Sequence, residues 1–353
     1  MKYKTAKFQG VEGARALGAF TVVIWHLNTY LDAYFENFSF RYIFRGEWAN
    51  IFFFALSGFL AVYTMKGKEL PGIKEFCEKR IKKVYPLWLM TTIFFLCLSM
   101  AEFWIRNELS ISNISVLLYK IIVDMLLIQS WIPGYPYLFH LNGPGWYLSV
   151  LFLLWILTIP LLKYIKKLSP KQRRFFLICI FLAQFTRDFI CMNSDLIAKY
   201  ATGVWWLYPI VAYVSGMILA TFFGEKTQPT TSGKGVLQYI ILICGIPVGY
   251  FVTFKVTVLE NVFMTIYMLY VIWILTCENT SLHKVLSNNI FGFVGSISFE
   301  IYMLHIPVAR FIEFFGVIKN NLIAFNVIVC LTIFSAVIWK KLMGRYESKR
   351  IAV

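Results

Sequence analysis

The chain has 353 residues, of which 59% are hydrophobic and 18% aromatic, with a mean hydropathy of +0.67 and a formal net charge of +16. A soluble domain of this length has no use for so much apolar surface, so the composition excludes a soluble enzyme and describes an all-α polytopic membrane protein. The charge then reads as the Lys and Arg excess of cytoplasmic loops, with no nucleic acid as partner.

Ten transmembrane spans are predicted, at 11–31, 47–65, 84–105, 145–163, 175–192, 203–223, 235–254, 257–277, 291–315 and 320–340. The first follows Lys2, Lys4 and Lys7 and has no small-residue cleavage site after it, so it reads as a retained span. It carries Arg15 and His26. Eleven helical steps bring the second within about 20° of the first, roughly 16 Å further along the axis. Either residue alone reads as one that snorkels to headgroups. Two on one stripe predict a polar cavity that runs to mid-depth. An additional apolar run at 114–130 holds Lys120 and Asp124 and reads as a helix lying in the interface or folded into the protein. With both termini cytoplasmic, 24 of the 34 Lys and Arg fall on the cytoplasmic side, 9 fall outside, and Arg15 lies within the membrane. Residues 1–345 form a single transmembrane domain and 346–353 a short cytoplasmic tail. The seven Cys lie mostly in apolar runs without paired spacing and read as small buried hydrophobes.

Five stretches carry candidate chemistry. His26 can exchange a proton near neutral pH, and Arg15 keeps a planar charged fork for phosphate or carboxylate. Asn50 to Phe59 runs through Phe52 and Phe53 into Ser57 and Gly58, where small residues allow close helix approach. Arg80 and Lys83 stand one turn apart before the third span; they read as positive-inside topology or as a phosphate site. Trp146 and Tyr147 follow a Gly-Pro-Gly break and read as interface aromatics. Glu300, Tyr302 and His305 share the ninth span. Glu300 and His305 are about 140° apart on the helix, so each needs a partner elsewhere, and His26 is a candidate for Glu300. His140 and His283 fall in predicted loops and receive no role. No metal-spacing motif, phosphate loop, dinucleotide fingerprint or Gly-x-Ser-x-Gly elbow is present.

In this order the stretches resemble the acyltransferase-3 family of integral membrane proteins. Arg15 and His26 match its basic residue, ten residues, His pattern. Phe52-Phe53 with Ser57-Gly58-Phe59 is similar to its Phe-Phe-x-x-Ser-Gly-Phe motif, and Arg80 to Pro86 to its Arg-x-x-Arg-x-Tyr-Pro element. Trp146 to Ser149 resembles its Trp-x-Leu-Ser segment, and Ser298 to Pro307 its Ser-Tyr-x-x-Tyr-Leu-x-His-x-Pro segment. The chain departs at Lys83 for Arg, at Phe299 for Tyr, and at Asn50, where many members carry an acidic residue. Lys83 keeps the charge without the bidentate fork.

The resemblance implies an inner-membrane O-acyltransferase. It would move an acyl group, commonly acetyl, from cytoplasmic acyl-CoA to a hydroxyl of a surface polysaccharide or lipid-linked glycan. Arg15, Arg80 and Lys83 would hold the donor's phosphates. His26 would act as general base or acyl carrier, with Glu300 and Ser57 as further catalytic candidates. Asn50, Ser57 or Tyr302 could donate to the oxyanion. Asn50, Trp146, Tyr302 and His305 are substrate-contacting or structural residues. Acetyl-CoA is a donor substrate, with no permanently bound cofactor and no metal. The lipid bilayer is a partner, and a homo-oligomer is left open. The alternative is a transporter or flippase for a lipid-linked sugar or anionic solute.

Overall fold

The computed structural model describes residues 9–35, 39–40, 43–131, 141–193, 207–223, 235–277, 280–316 and 318–351. Every regular element among them is helical. In hydrocarbon each backbone N–H must find its acceptor within its own segment, and long Leu-, Ile- and Phe-rich runs meet that demand only as helices. In chain order the helices are α1 (Gln9–His26), α2 (Asn28–Asp32), α3 (Gly46–Tyr63), α4 (Ile73–Ile105) and α5 (Ile111–Met125). Then come α6 (Gly145–Lys167), α7 (Pro170–Asn193), α8 (Leu207–Phe222), α9 (Gly235–Lys255) and α10 (Glu260–Leu275). The last four are α11 (Ser281–Leu286), α12 (Asn289–Ser296), α13 (Ser298–Phe315) and α14 (Asn321–Ile351).

Six of these are long and apolar enough to cross a membrane: α3, α4, α6, α7, α10 with its preceding turn, and α14. A seventh span exists if α12 and α13, bent by 63° at Ile297, are counted together. Two further apolar stretches, Pro209–Phe222 and Tyr239–Lys255, are shorter. The expectation of ten spans therefore meets six to seven by this measure. The difference is largest at the first span. Its helix holds Glu12, Arg15 and three glycines in its first ten residues and stops at His26. Leu27 leaves helical geometry there, before the short α2.

The run at 114–130 is folded into the bundle. Ser110 caps α5 by accepting from the Asn113 amide at 3.1 Å. At the other end, Trp88 Nε1 donates to the Asp124 carbonyl at 3.0 Å and Tyr85 to the Met125 carbonyl at 3.1 Å. The end of α5 is thus pinned beside the middle of α4. Asp124 is buried, and its carboxylate accepts from the Leu141 amide at 3.1 Å. Ile111, Leu118 and Ile122 on the opposite face are exposed, as an element bordered by lipid requires. Gly145, the first residue of α6, packs against the Trp88 ring, so α6 also starts beside mid-α4.

The tightest seam joins α3 and α8. A Cβ on Gly58 would overlap the Tyr213 carbonyl, and one on Gly216 would overlap the Ala55 carbonyl. Close backbone approach through small residues is how apolar helices gain packing where lipid offers no hydrophobic drive. This seam fixes α3, whose Phe53, Ser57 and Thr64 line a cavity at one end of the bundle.

Candidate functional site

Seven helices, α1, α3, α4, α6, α12, α13 and α14, meet around this cavity, which has a volume of about 390 Å³. From α1 come Glu12 and Arg15, from α4 Arg80 and Lys83, and from α14 Lys340. From α13 come Glu300 and Tyr302, and from α6 Tyr147 and Trp155. Four cations thus face two carboxylates, which leaves the cavity with an excess of two positive charges. Arg15 lies one turn after Glu12 on α1, and its Nη1 meets both Glu12 oxygens at 3.1 Å. Lys340 donates to the Ser296 carbonyl at 3.1 Å and stands 3.5 Å from Glu300 Oε1. The Arg80 guanidinium lies 3.4 Å over the Phe76 ring, where Nη1 donates to the Phe76 carbonyl at 3.3 Å. Lys83 makes no hydrogen bond or ion pair among the described residues. An anion entering this end would meet donors from three helices.

The far wall of the cavity is aromatic. Phe53 lies 6.5 Å from the Tyr147 ring, and Tyr147 lies 5.5 Å from the Tyr302 ring. Ser57 lines the cavity beside Tyr147, and Tyr302 donates to the Pro144 carbonyl at 3.0 Å. Behind Tyr302, one turn on along α13, stands His305, which is fully buried. Its Nε2 is 3.0 Å from His26 Nδ1, and the two rings stack with centroids 5.0 Å apart. Helix α13 links the cavity to this imidazole pair by direct contact: Tyr302 lines the cavity with its ring and meets His305 Nδ1 with its carbonyl, at 2.7 Å.

Of the residues singled out from sequence, Arg15, Ser57, Arg80, Lys83, Glu300 and Tyr302 converge on the cavity. His26 and His305 form a pair behind it and do not line it. The anticipated pairing of Glu300 with His26 does not form. Glu300 lies five residues before His305, about 7.5 Å lower on α13, and turns to Lys340 instead. Asn50 is buried in α3, with its Oδ1 unpartnered among the described residues, and is not a cavity residue. Trp146 packs 6.0 Å from Phe54, also outside the cavity. His283 is not in a loop: it is buried in α11, with Nδ1 2.8 Å from the Leu275 carbonyl. His140 lies outside the described residues. Sequence reasoning missed Lys340, which reads as one more basic residue at the end of a last span. It also missed Glu12, although the spacing to Arg15 was visible. Among the described residues no group of three His, Cys, Asp or Glu could hold a metal ion.

A family model described as an acyltransferase domain matches residues 8–340. The chain belongs to the acyltransferase-3 family. The cavity, both histidines and Lys340 all fall within the matched stretch. This acyltransferase is also similar to a protein named acyltransferase MdmB from Streptomyces mycarofaciens, at 26% identity over 280 residues, covering 75% of this chain and 69% of that protein. No solved structure matches it.

Proposed function

We propose that this acyltransferase moves an acetyl group from cytoplasmic acyl-CoA to a hydroxyl of a surface polysaccharide or lipid-linked glycan, in the inner membrane. The observation that carries this reading is the cationic cavity, one of whose lining residues, Tyr302, also touches the imidazole pair. The donor carries several phosphate charges on a nucleotide and a thioester on a long neutral arm. A site with an excess of positive charge at its mouth and an aromatic, largely uncharged inner wall suits both ends of that molecule.

In the reaction the acceptor oxygen attacks the thioester carbonyl. His26 takes the hydroxyl proton, the C–S bond breaks, and the proton leaves on the thiol. Atoms balance: thioester plus alcohol gives ester plus free thiol. Arg15, Arg80, Lys83 and Lys340 bind the phosphates. Tyr147 and Tyr302 guide the arm and border its path to His26. The choice of acetyl and of a glycan hydroxyl rests on the family resemblance.

The test is transfer from radiolabelled acetyl-CoA by the protein in liposomes, with surface-glycan extract of the host as acceptor. Arg80→Ala should raise the KM for acetyl-CoA about ten-fold, the usual cost of one charge-assisted phosphate contact. His26→Ala should abolish transfer while acetyl-CoA still binds. A wild-type protein that neither binds nor consumes acetyl-CoA would overturn the proposal.

A further inference from the structure

The geometry points to His305 as a positioning residue: through the Tyr302 carbonyl it holds His26 in the tautomer whose proton is on Nδ1 and whose bare nitrogen is Nε2. The Tyr302 oxygen is a carbonyl and only accepts, so His305 Nδ1, 2.7 Å away, carries a proton. A neutral imidazole carries only one, so His305 Nε2 is a bare lone pair. That lone pair faces His26 Nδ1 at 3.0 Å, so His26 Nδ1 is the donor. The remaining nitrogen of His26, Nε2, is left with its lone pair and points away from His305.

The other assignment makes His305 a cation that donates from both nitrogens. It would bury a charge on a fully enclosed side chain whose two partners are a carbonyl and an imidazole. With no carboxylate in that pair of contacts, the desolvation cost goes uncompensated. Neutral His305 therefore accepts from His26 Nδ1 and, with the Val22 carbonyl beside the same ring, favours the tautomer protonated there.

This inference rests on the reading of His26 as the base, and it adds how the base is prepared. The donors run in one direction, His26 to His305 to Tyr302, so each bond polarises the next. When His26 Nε2 accepts the acceptor's proton, the resulting imidazolium already has its Nδ1–H held. The holder is a neutral ring rather than a carboxylate, and it orients His26 more than it stabilises the new charge. Tyr302 thereby has two faces. Its ring borders the donor cavity and its carbonyl sets the base.

Two arms test this, and they fail separately. The first needs no substrate. The chain has four His, so ring-15N-His protein gives four imidazole spin systems, and His26→Asn identifies that of His26. Wild-type His26 should show its proton on Nδ1, and His305→Leu should shift that Nδ1–H signal and raise the share of the Nε2–H form, the Val22 carbonyl being then its remaining partner. A wild-type His26 protonated on Nε2 overturns the inference, whatever the enzyme's substrates are. The second arm is kinetic. His305→Leu removes the acceptor, and His305→Gln replaces it with an amide oxygen at the reach of Nε2. The Leu variant should lose about ten- to a hundred-fold in kcat with an unchanged KM for the acyl donor, and the Gln variant should recover most of that loss. A residue that only fills space would be replaced at least as well by Leu as by Gln, so Leu activity equal to or above Gln activity sinks the positioning role. Thermal unfolding in detergent and acyl-CoA binding confirm that both variants fold. Wild-type protein without any transfer activity would count against the acyltransferase substrates, while the spectra would still decide the tautomer.

Discussion

Glu300 shares its cavity with Arg15, Arg80, Lys83 and Lys340, and among the described residues its ion pair is with Lys340 at 3.5 Å. A carboxylate there offsets positive charge and holds a lysine off an incoming phosphate. Glu300→Gln removes one buried negative charge whose lysine partner is about half exposed at 3.5 Å, a contact worth well under a full charge-assisted bond. The KM for acyl-CoA should fall about two- to five-fold, with kcat within about three-fold of wild type. Steady-state kinetics at fixed ionic strength decide this; a collapse of kcat would instead return Glu300 to the chemistry, the role its motif suggested. At this scale the sequence was most informative about single helices. Arg15, Arg80, Lys83, Ser57 and Tyr302 stand out by residue type in apolar surroundings, and the cavity collects them. The partner of His26 was hidden. Helical spacing relates residues within one span, and His305 lies 279 positions away on another. Lys340 was hidden for a different reason: at a span's end a lysine is explained by topology alone.

At the scale of elements, the α3–α8 seam holds the cavity's α3 wall in place. Gly58 and Gly216 each face a carbonyl of the opposite helix, with no room for a methyl group. Gly58→Ala should force the backbones apart and shift Phe53 and Ser57 with them. The expected result is a fall of several degrees in unfolding temperature in detergent, together with a rise in KM for acyl-CoA. A matched exposed change such as Ile243→Ala, on the lipid-facing side of α9, should do neither. Unchanged melting of Gly58→Ala would mean that α8 can slide, and that the seam does not set the cavity. The small residues of this seam were readable from Ser57-Gly58 as a place of close approach, though not which helix approaches. The path of α5 was only half readable. Its apolar length suggested a span, while Lys120 and Asp124 argued against lipid. Tertiary bonds from Tyr85 and Trp88 to its last carbonyls decide where it ends.

At the scale of the whole molecule the two ends of the bundle differ in kind. One end opens as the cationic cavity. At the other, Arg310 of α13 meets Glu102 of α4 at 2.6 Å and Glu313 at 3.1 Å, with Tyr30 of α2 donating to Glu313 at 2.6 Å, and Glu102, Arg310 and Glu313 border a smaller cavity of about 280 Å³ where cations and carboxylates balance. The imidazole pair lies between them. A transporter built on paired broken helices would need a counterpart to the 63° bend at Ile297, and among the described residues there is one such bend. The excess of positive charge in the larger cavity instead suits a polyanionic donor that approaches from that side. If the Lys- and Arg-rich end faces the cytoplasm, as the charge distribution favours, acyl-CoA reaches the cavity only from there. Acyl-CoA does not cross a bilayer, so sealed vesicles of known orientation separate the sides. Inverted vesicles should consume acyl-CoA added outside. Right-side-out vesicles should consume it only after detergent opens them, by at least ten-fold. Raising the salt should weaken use of the donor in inverted vesicles, because screening reduces the pull of an exposed cationic mouth on a polyanion. Equal consumption by both vesicle types, each proven sealed, would mean that the donor does not depend on the cationic end, and the cavity would then have to be reassigned.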